Sequence, residues 1–129
     1  MAAFPPLQLL VLALAPTGVP GGAVSFLPPV AIRLAALLQL PLKPLNNVDD
    51  PLLTMAQLSS CREAWLAVLP VDPGLALDSG GHWAEILGAW RQPSLLVVDA
   101  GQMASGLPAA GTALLQRWQV PLEIGRAHV

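Results

Sequence analysis

Apolar residues come in two rhythms along the chain. Leu7 to Ala15 is a continuous run of Leu, Val and Ala broken only by Gln8, then Pro and Gly follow; this predicts a strand buried on both faces. "SLLVVDAG", 94–101, has the same character and ends in an acid. "WLAVLPVD", 65–72, predicts a strand that Pro70 shortens. Between them the spacing turns helical. "VAIRLAALLQL", 30–40, predicts a helix with Pro29 as its first residue. "DDPLLTMAQLSS" predicts another, with Asp50 as N-cap and Pro51 just inside. "GGHWAEILGAW", 80–90, predicts an amphipathic helix of about three turns, and "LPAAGTALLQRWQ", 107–119, one with Pro108 near its start. "LPLK", 40–43, is a candidate short second strand, and "VPL" at 120–122 opens another.

Strands and helices thus alternate over short connections. This predicts an α/β fold, a parallel sheet with helices on both faces. In such sheets ligands bind at the carboxyl ends of the strands. Two segments fall there: the Gly-rich turn 16–22, and Asp99 with Gly101. Leu7–Leu14 and Leu95–Val98 are the most apolar runs, so they are expected side by side and parallel, with crossovers of right hand.

Composition narrows the chemistry. Hydrophobic residues make up 54% of the 129 positions and charged ones only 11%, less than half the usual share. A net charge of −2 gives no footprint for nucleic acid or an anionic membrane. One cysteine, Cys61, excludes an internal disulfide and is expected to be an inert thiol. The apolar stretch from Phe4 to Ala23 has the length of a signal peptide, but no positive segment precedes it; the first basic residue is Arg33. No apolar run reaches the 18 to 20 or so residues that a membrane span needs. "DSGGHW" holds a Ser and a His without a nucleophile-elbow pattern. His82, Trp65, Trp83, Trp90 and Trp118 are expected in structural roles.

The last seven residues, "EIGRAHV", are what GAG-ATC-GGA-AGA-GCA-CAC-GTC encodes, a common sequencing adapter whose next in-frame codon is a stop. The expectation is that 123–129 are adapter-derived, pack against nothing and form no regular structure. On that expectation, 1–122 is the N-terminal part of one α/β domain. Without Glu123, Arg126 and His128 the net charge is unchanged, and His82 is the histidine that remains.

"APTGVPGGAVS", 15–25, resembles the phosphate-binding loop "TDTGVGKTVVS" of dethiobiotin synthetases, without gaps. Thr17, Gly18, Val19, Val24 and Ser25 match; the opening glycine falls on Leu14, the second on Pro20, the lysine on Gly21 and the Ser/Thr on Gly22. "LPLKPL" resembles the family's "KPV" strand end at Lys43 and Pro44, and "LLVVDAGQ" its "LVVEGAGG" strand, with Asp99 as the acid. "ALLQRWQVPL" resembles the helix and strand that follow, whereas 46–93 aligns poorly.

The resemblance implies a P-loop NTPase-like fold and an ATP-dependent cyclo-ligase that closes a ring on 7,8-diaminopelargonate with CO₂ and Mg²⁺. It implies a bacterial, cytoplasmic protein of biotin biosynthesis. Thr17, Gly18, Val19, Gly21 and Gly22 would hold ATP, Asp99 would hold Mg²⁺ with Asp49 or Asp50 as a second acid, and Lys43 would act at the substrate. The departures weigh against nucleotide. Gly21 removes the cation and Gly22 the Mg²⁺ hydroxyl; Pro20 removes an N–H donor. Pro28 and Pro29 are expected to break the loop's helix in its second turn, at about 3 kcal/mol. ATP binding is therefore expected to be lost or altered. The expected partners are a small-molecule substrate and a second copy of the chain, with no nucleic acid and no membrane. A non-catalytic partner-binding or structural protein, and a secreted or tethered fragment, are the alternative readings.

Overall fold

Strand β1 (Gln8–Ala13) lies between two parallel neighbours, β2 (Trp65–Val68) and β3 (Ser94–Asp99). Beyond β3 lies β4 (Leu122–Ala127), also parallel, so the order is β2-β1-β3-β4. The structure is a computed structural model, and it describes residues 6–14, 27–45, 48–74, 76–77, 80–99 and 107–127. The helices are α1 (Leu27–Leu38), α2 (Pro51–Ser60), α3 (Trp83–Ala89) and α4 (Leu107–Arg117).

The unbroken apolar run of β1 is explained by its place. Alternate residues of a strand point to opposite faces. Leu10 and Leu12 join a core with Met55 and Leu58 of α2, Leu87 of α3 and Leu115 of α4. Val11 and Ala13 point the other way and pack with Ala31 and Ala35 of α1. Helices therefore cover both faces: α1 one, and α2, α3 and α4 the other. Leu10, Val11, Leu12 and Ala13 are all fully buried. The fold is thus α/β with an all-parallel sheet, as the alternation predicts.

Three helices end in the same way. Gln39, Arg91 and Gln119 each follow a helix with a left-handed φ, of 55°, 51° and 60°. The next residue's N–H then reaches back to the last turn: Leu40 to Ala35 O at 2.9 Å, Gln92 to Leu87 O at 3.0 Å, Val120 to Leu115 O at 3.1 Å. Each is a Schellman stop built without glycine. Each returns the chain to the amino-terminal edge of the sheet.

That edge is stitched by side chains. Gln8 Nε2 donates to Cys61 O at 2.8 Å and Glu63 O at 2.9 Å, tying β1 to the segment before β2. The buried Gln92 donates to Gln8 O at 3.0 Å and Pro93 O at 2.9 Å, tying β1 to the segment before β3.

Helix α1 opens at Leu27, so Pro28 and Pro29 stand at its start, close to the Pro29 start that the sequence predicts. The first N–H groups of a helix have no intrahelical acceptor, so a missing donor there is harmless. Two expectations are corrected. Residues 123–127 are not irregular: they belong to β4, paired with β3 from Ser94↔Leu122 to Asp99↔Ala127. Such pairing is made by backbone groups and satisfies an edge of β3 that would otherwise be open, whatever side chains the segment carries. The 40–43 strand shrinks to one bridge, Leu42↔Leu66, since Pro41 and Pro44 lack the donors to extend it.

Two outcomes test this packing by thermal unfolding. A Cβ at Gly88 would fall on the carbonyl oxygen of Trp118, so α3 and the end of α4 must separate in Gly88→Ala. The expected loss is about 1–3 kcal/mol, the range for overpacking. Gln119→Gly should gain up to about 1 kcal/mol, because glycine takes a left-handed φ without strain.

Candidate functional site

The chain leaves β1 toward α1 on one face, and leaves β3 toward α4 on the other. Adjacent parallel strands whose continuations diverge in this way form a topological switch point, where open α/β sheets bind ligands. The register puts Ala13 level with Val97, so the ends of both strands lie at one edge. Asp99 closes β3 there. The expectation that β1 and β3 are parallel neighbours holds. Thr17, Gly18, Val19, Gly21, Gly22 and Gly101 lie outside the described residues.

Leu14 is the last described residue before that loop, and it is 3% exposed. Its methyl groups lie against Gly111 of α4: a Cβ on that glycine would come within 2.5 Å of Cδ1 and 2.6 Å of Cδ2. Leu14 thus joins the end of β1 to α4 at the position where the resembling loop opens with glycine. Sequence reasoning missed this contact. A glycine inside an otherwise regular helix was the signal for it.

Lys43 does not join this site. Leu42 is level with Leu66, Leu66 with Leu9, and Leu10 with Ser94, so Lys43 is level with Ser94, well before Asp99. It is also three strands away. Five residues along and three strands across amount to roughly 20 Å between the two backbones. Lys43 donates its backbone N–H to Leu66 O at 2.9 Å and lines an open pocket of about 260 Å³ with Thr54, Gln57 and Leu58.

The acids at 49 and 50 separate in role. Asp50 is the N-cap of α2, and its side chain accepts from Leu53 N–H at 3.2 Å. Its carbonyl accepts from the backbone N–H and the hydroxyl of buried Thr54, both at 3.0 Å. Asp49 is exposed in the preceding turn. Both line an open pocket of about 340 Å³ between the starts of α2 and α3, with His82 and Glu85. His82 is the N-cap of α3: its N–H donates to Glu85 Oε2 at 3.3 Å, and Glu85 N–H returns to His82 O at 3.2 Å. The His82 ring packs edge-on to Trp118, with centroids 5.6 Å apart. Trp83 donates its indole N–H to Val48 O at 2.9 Å, which fixes the turn before α2 against α3. Both helix starts are thus occupied with capping.

Among the described residues, no three His, Cys, Asp or Glu side chains are placed to hold a metal ion, and no helix is long and apolar enough to cross a membrane. The residues present do not fit ATP·Mg²⁺ as the resemblance requires. The cation and the hydroxyl are missing from the sequence at 21 and 22, and the Asp50 carboxylate is engaged in its own helix.

Asp50→Ala separates capping from metal binding. The expected result is a loss of about 1 kcal/mol in urea unfolding, the usual value of such a cap. The loss should be the same with and without millimolar Mg²⁺. A loss that appears only with Mg²⁺ present assigns the carboxylate to a metal instead.

No known protein family, curated protein or solved structure matches the chain.

Proposed function

We propose that the chain is a degenerate phosphate-loop domain of the dethiobiotin synthetase type, which keeps the layout of a nucleotide site without the groups that grip a nucleotide. One observation carries this reading: β1 and β3 pair in parallel at a switch point, so the segment after β1 and the acid ending β3 share one edge. The phosphate-loop-like sequence follows β1, and the acid is Asp99. A phosphate loop works by aiming backbone N–H groups and a lysine at phosphate oxygens. Gly21 supplies no cation and Pro20 no donor, while buried Leu14 fixes the loop's first residue to α4. In this reading the protein is a bacterial, cytoplasmic relative of a biotin-pathway ligase that no longer closes the ring.

A second reading, a non-catalytic partner-binding subunit, is favoured by the exposed apolar side of α1, where Ile32 is 59% and Leu37 80% exposed.

Isothermal calorimetry tests the first reading. The chain should give no heat with ATP·Mg²⁺ at concentrations up to about 1 mM, which corresponds to a binding free energy weaker than about −4 kcal/mol. Gly21→Lys with Gly22→Thr should restore binding only when Pro20→Gly is added. Micromolar affinity in the unaltered chain would refute the proposal and point to a cation from elsewhere in the fold.

A further inference from the structure

Strand β2 ends the sheet on one side. One of its edges pairs with β1, and among the described residues only 41–43 reach the other. Trp65 N–H donates to Leu7 O and Leu69 N–H to Val11 O, both at 3.0 Å, so the odd-numbered residues of this segment serve β1. Successive residues of a strand turn their backbone groups to opposite sides, so Leu66 and Val68 direct theirs outward. Leu66 is satisfied there. Its N–H donates to Pro41 O and its carbonyl accepts from Lys43 N–H, both at 2.9 Å. Val68, two residues on, is not: no described residue pairs with its N–H or its carbonyl. After Lys43 the chain leaves the edge. An open pocket of about 260 Å³ stands there, lined by Leu42, Lys43, Pro44, Leu45 and Val68.

We propose that this edge docks the C-terminal end of an extended peptide. The peptide adds to β2 antiparallel at Val68, places its last, apolar side chain in the pocket, and presents its carboxylate to Lys43.

Three features select that occupant. The first is the open backbone. Val68 offers one donor and one acceptor at strand spacing, and a second extended backbone answers both. The second is charge and direction. Residues 41–43 already occupy the edge at Leu66, so an added strand has to end beside Lys43. A strand running parallel to β2 would bring its terminal ammonium to that point, and an antiparallel one its carboxylate. Lys43 is the one charged residue lining the pocket, so it repels the first and attracts the second. The third is size. The pocket is smaller than the roughly 300 to 1,000 Å³ of sites that enclose a drug-sized molecule. Its walls of Leu42, Pro44 and Leu45 suit one apolar side chain. Further along β2, Pro70 has no N–H to offer, so the docked strand is short and its binding weak. None of this depends on whether the chain binds nucleotide.

The probe is a fluorescein-labelled peptide, Gly-Ser-Thr-Leu, with a free carboxylate, titrated against the full chain by fluorescence anisotropy. The dissociation constant should be on the order of 100 µM, as suits a small interface. The same peptide with an amidated C-terminus should bind about tenfold more weakly, the loss of one charge-assisted contact. Lys43→Met should weaken the acid by about the same factor and leave the amide unchanged. Amide hydrogen exchange followed by NMR supplies a second readout. In the free chain Val68 should exchange faster than Leu69, and saturating peptide should slow Val68 alone of the two. Val68→Pro removes the outward N–H at an edge position, where proline is tolerated, and should abolish binding. The Lys43 and exchange measurements stand even if that variant does not fold. No binding up to about 1 mM, equal affinity for acid and amide, or an unslowed Val68 amide at saturation overturns the proposal.

Discussion

Everything in this fold depends on β1 being paired along both edges and packed on both faces at once. It holds β2 on one side and β3 on the other, and its side chains belong alternately to the two cores. Neither flanking strand pairs with the other, so β1 alone makes one sheet of them. Residues Leu10 to Ala13 have no contact with solvent, which is why the sequence there tolerates no polar residue. A charge at Leu12 would be buried without a partner, which proteins avoid at a cost of several kcal/mol.

The two ends of this strand have opposite characters. At the amino-terminal edge, Gln8 and Gln92 each use one amide to hold two backbone carbonyls, and three glycine-free helix stops deliver the chain to the same edge. Four backbone carbonyls are satisfied there by two side chains. The carboxyl-terminal edge has the divergent continuations of β1 and β3 instead. A fold that is tied at one edge and branches at the other presents its variable chemistry at the branching edge, as α/β proteins generally do.

Much of this was legible from periodicity. Strands β1, β2 and β3 and the cap at Asp50 stand where the pattern of apolar residues and breakers sets them. The adjacency of β1 and β3 was also legible, because both runs lack a polar face. The start of α1 was legible to within two residues, because proline fits the first turn of a helix. The rest was hidden for physical reasons. Helix α3 is shorter than its apolar pattern, running only from Trp83 to Ala89. Residues 123–127 join a sheet through backbone groups, and the side-chain pattern does not report that pairing. In the candidate site, the common edge of the loop and Asp99 followed from strand direction. The distance to Lys43 did not, because it depends on how far a strand extends between Pro41 and Pro44. The close approach of Leu14 to Gly111 joins residues far apart in the chain, so the glycine inside α4 signals a close approach without saying which residue makes it.

That contact also bears on which substitutions the chain can accept. Leu14 fills space that Gly111 leaves open, so the two residues are matched. A glycine at position 14 would empty part of the core beside α4, at the 2 to 5 kcal/mol or so that a large-to-small change at a buried leucine costs. A larger residue at 111 would collide with Leu14 unless position 14 shrank first. Each residue therefore sets the size that the other can take, so substitutions at 14 and 111 are tolerated together and not singly.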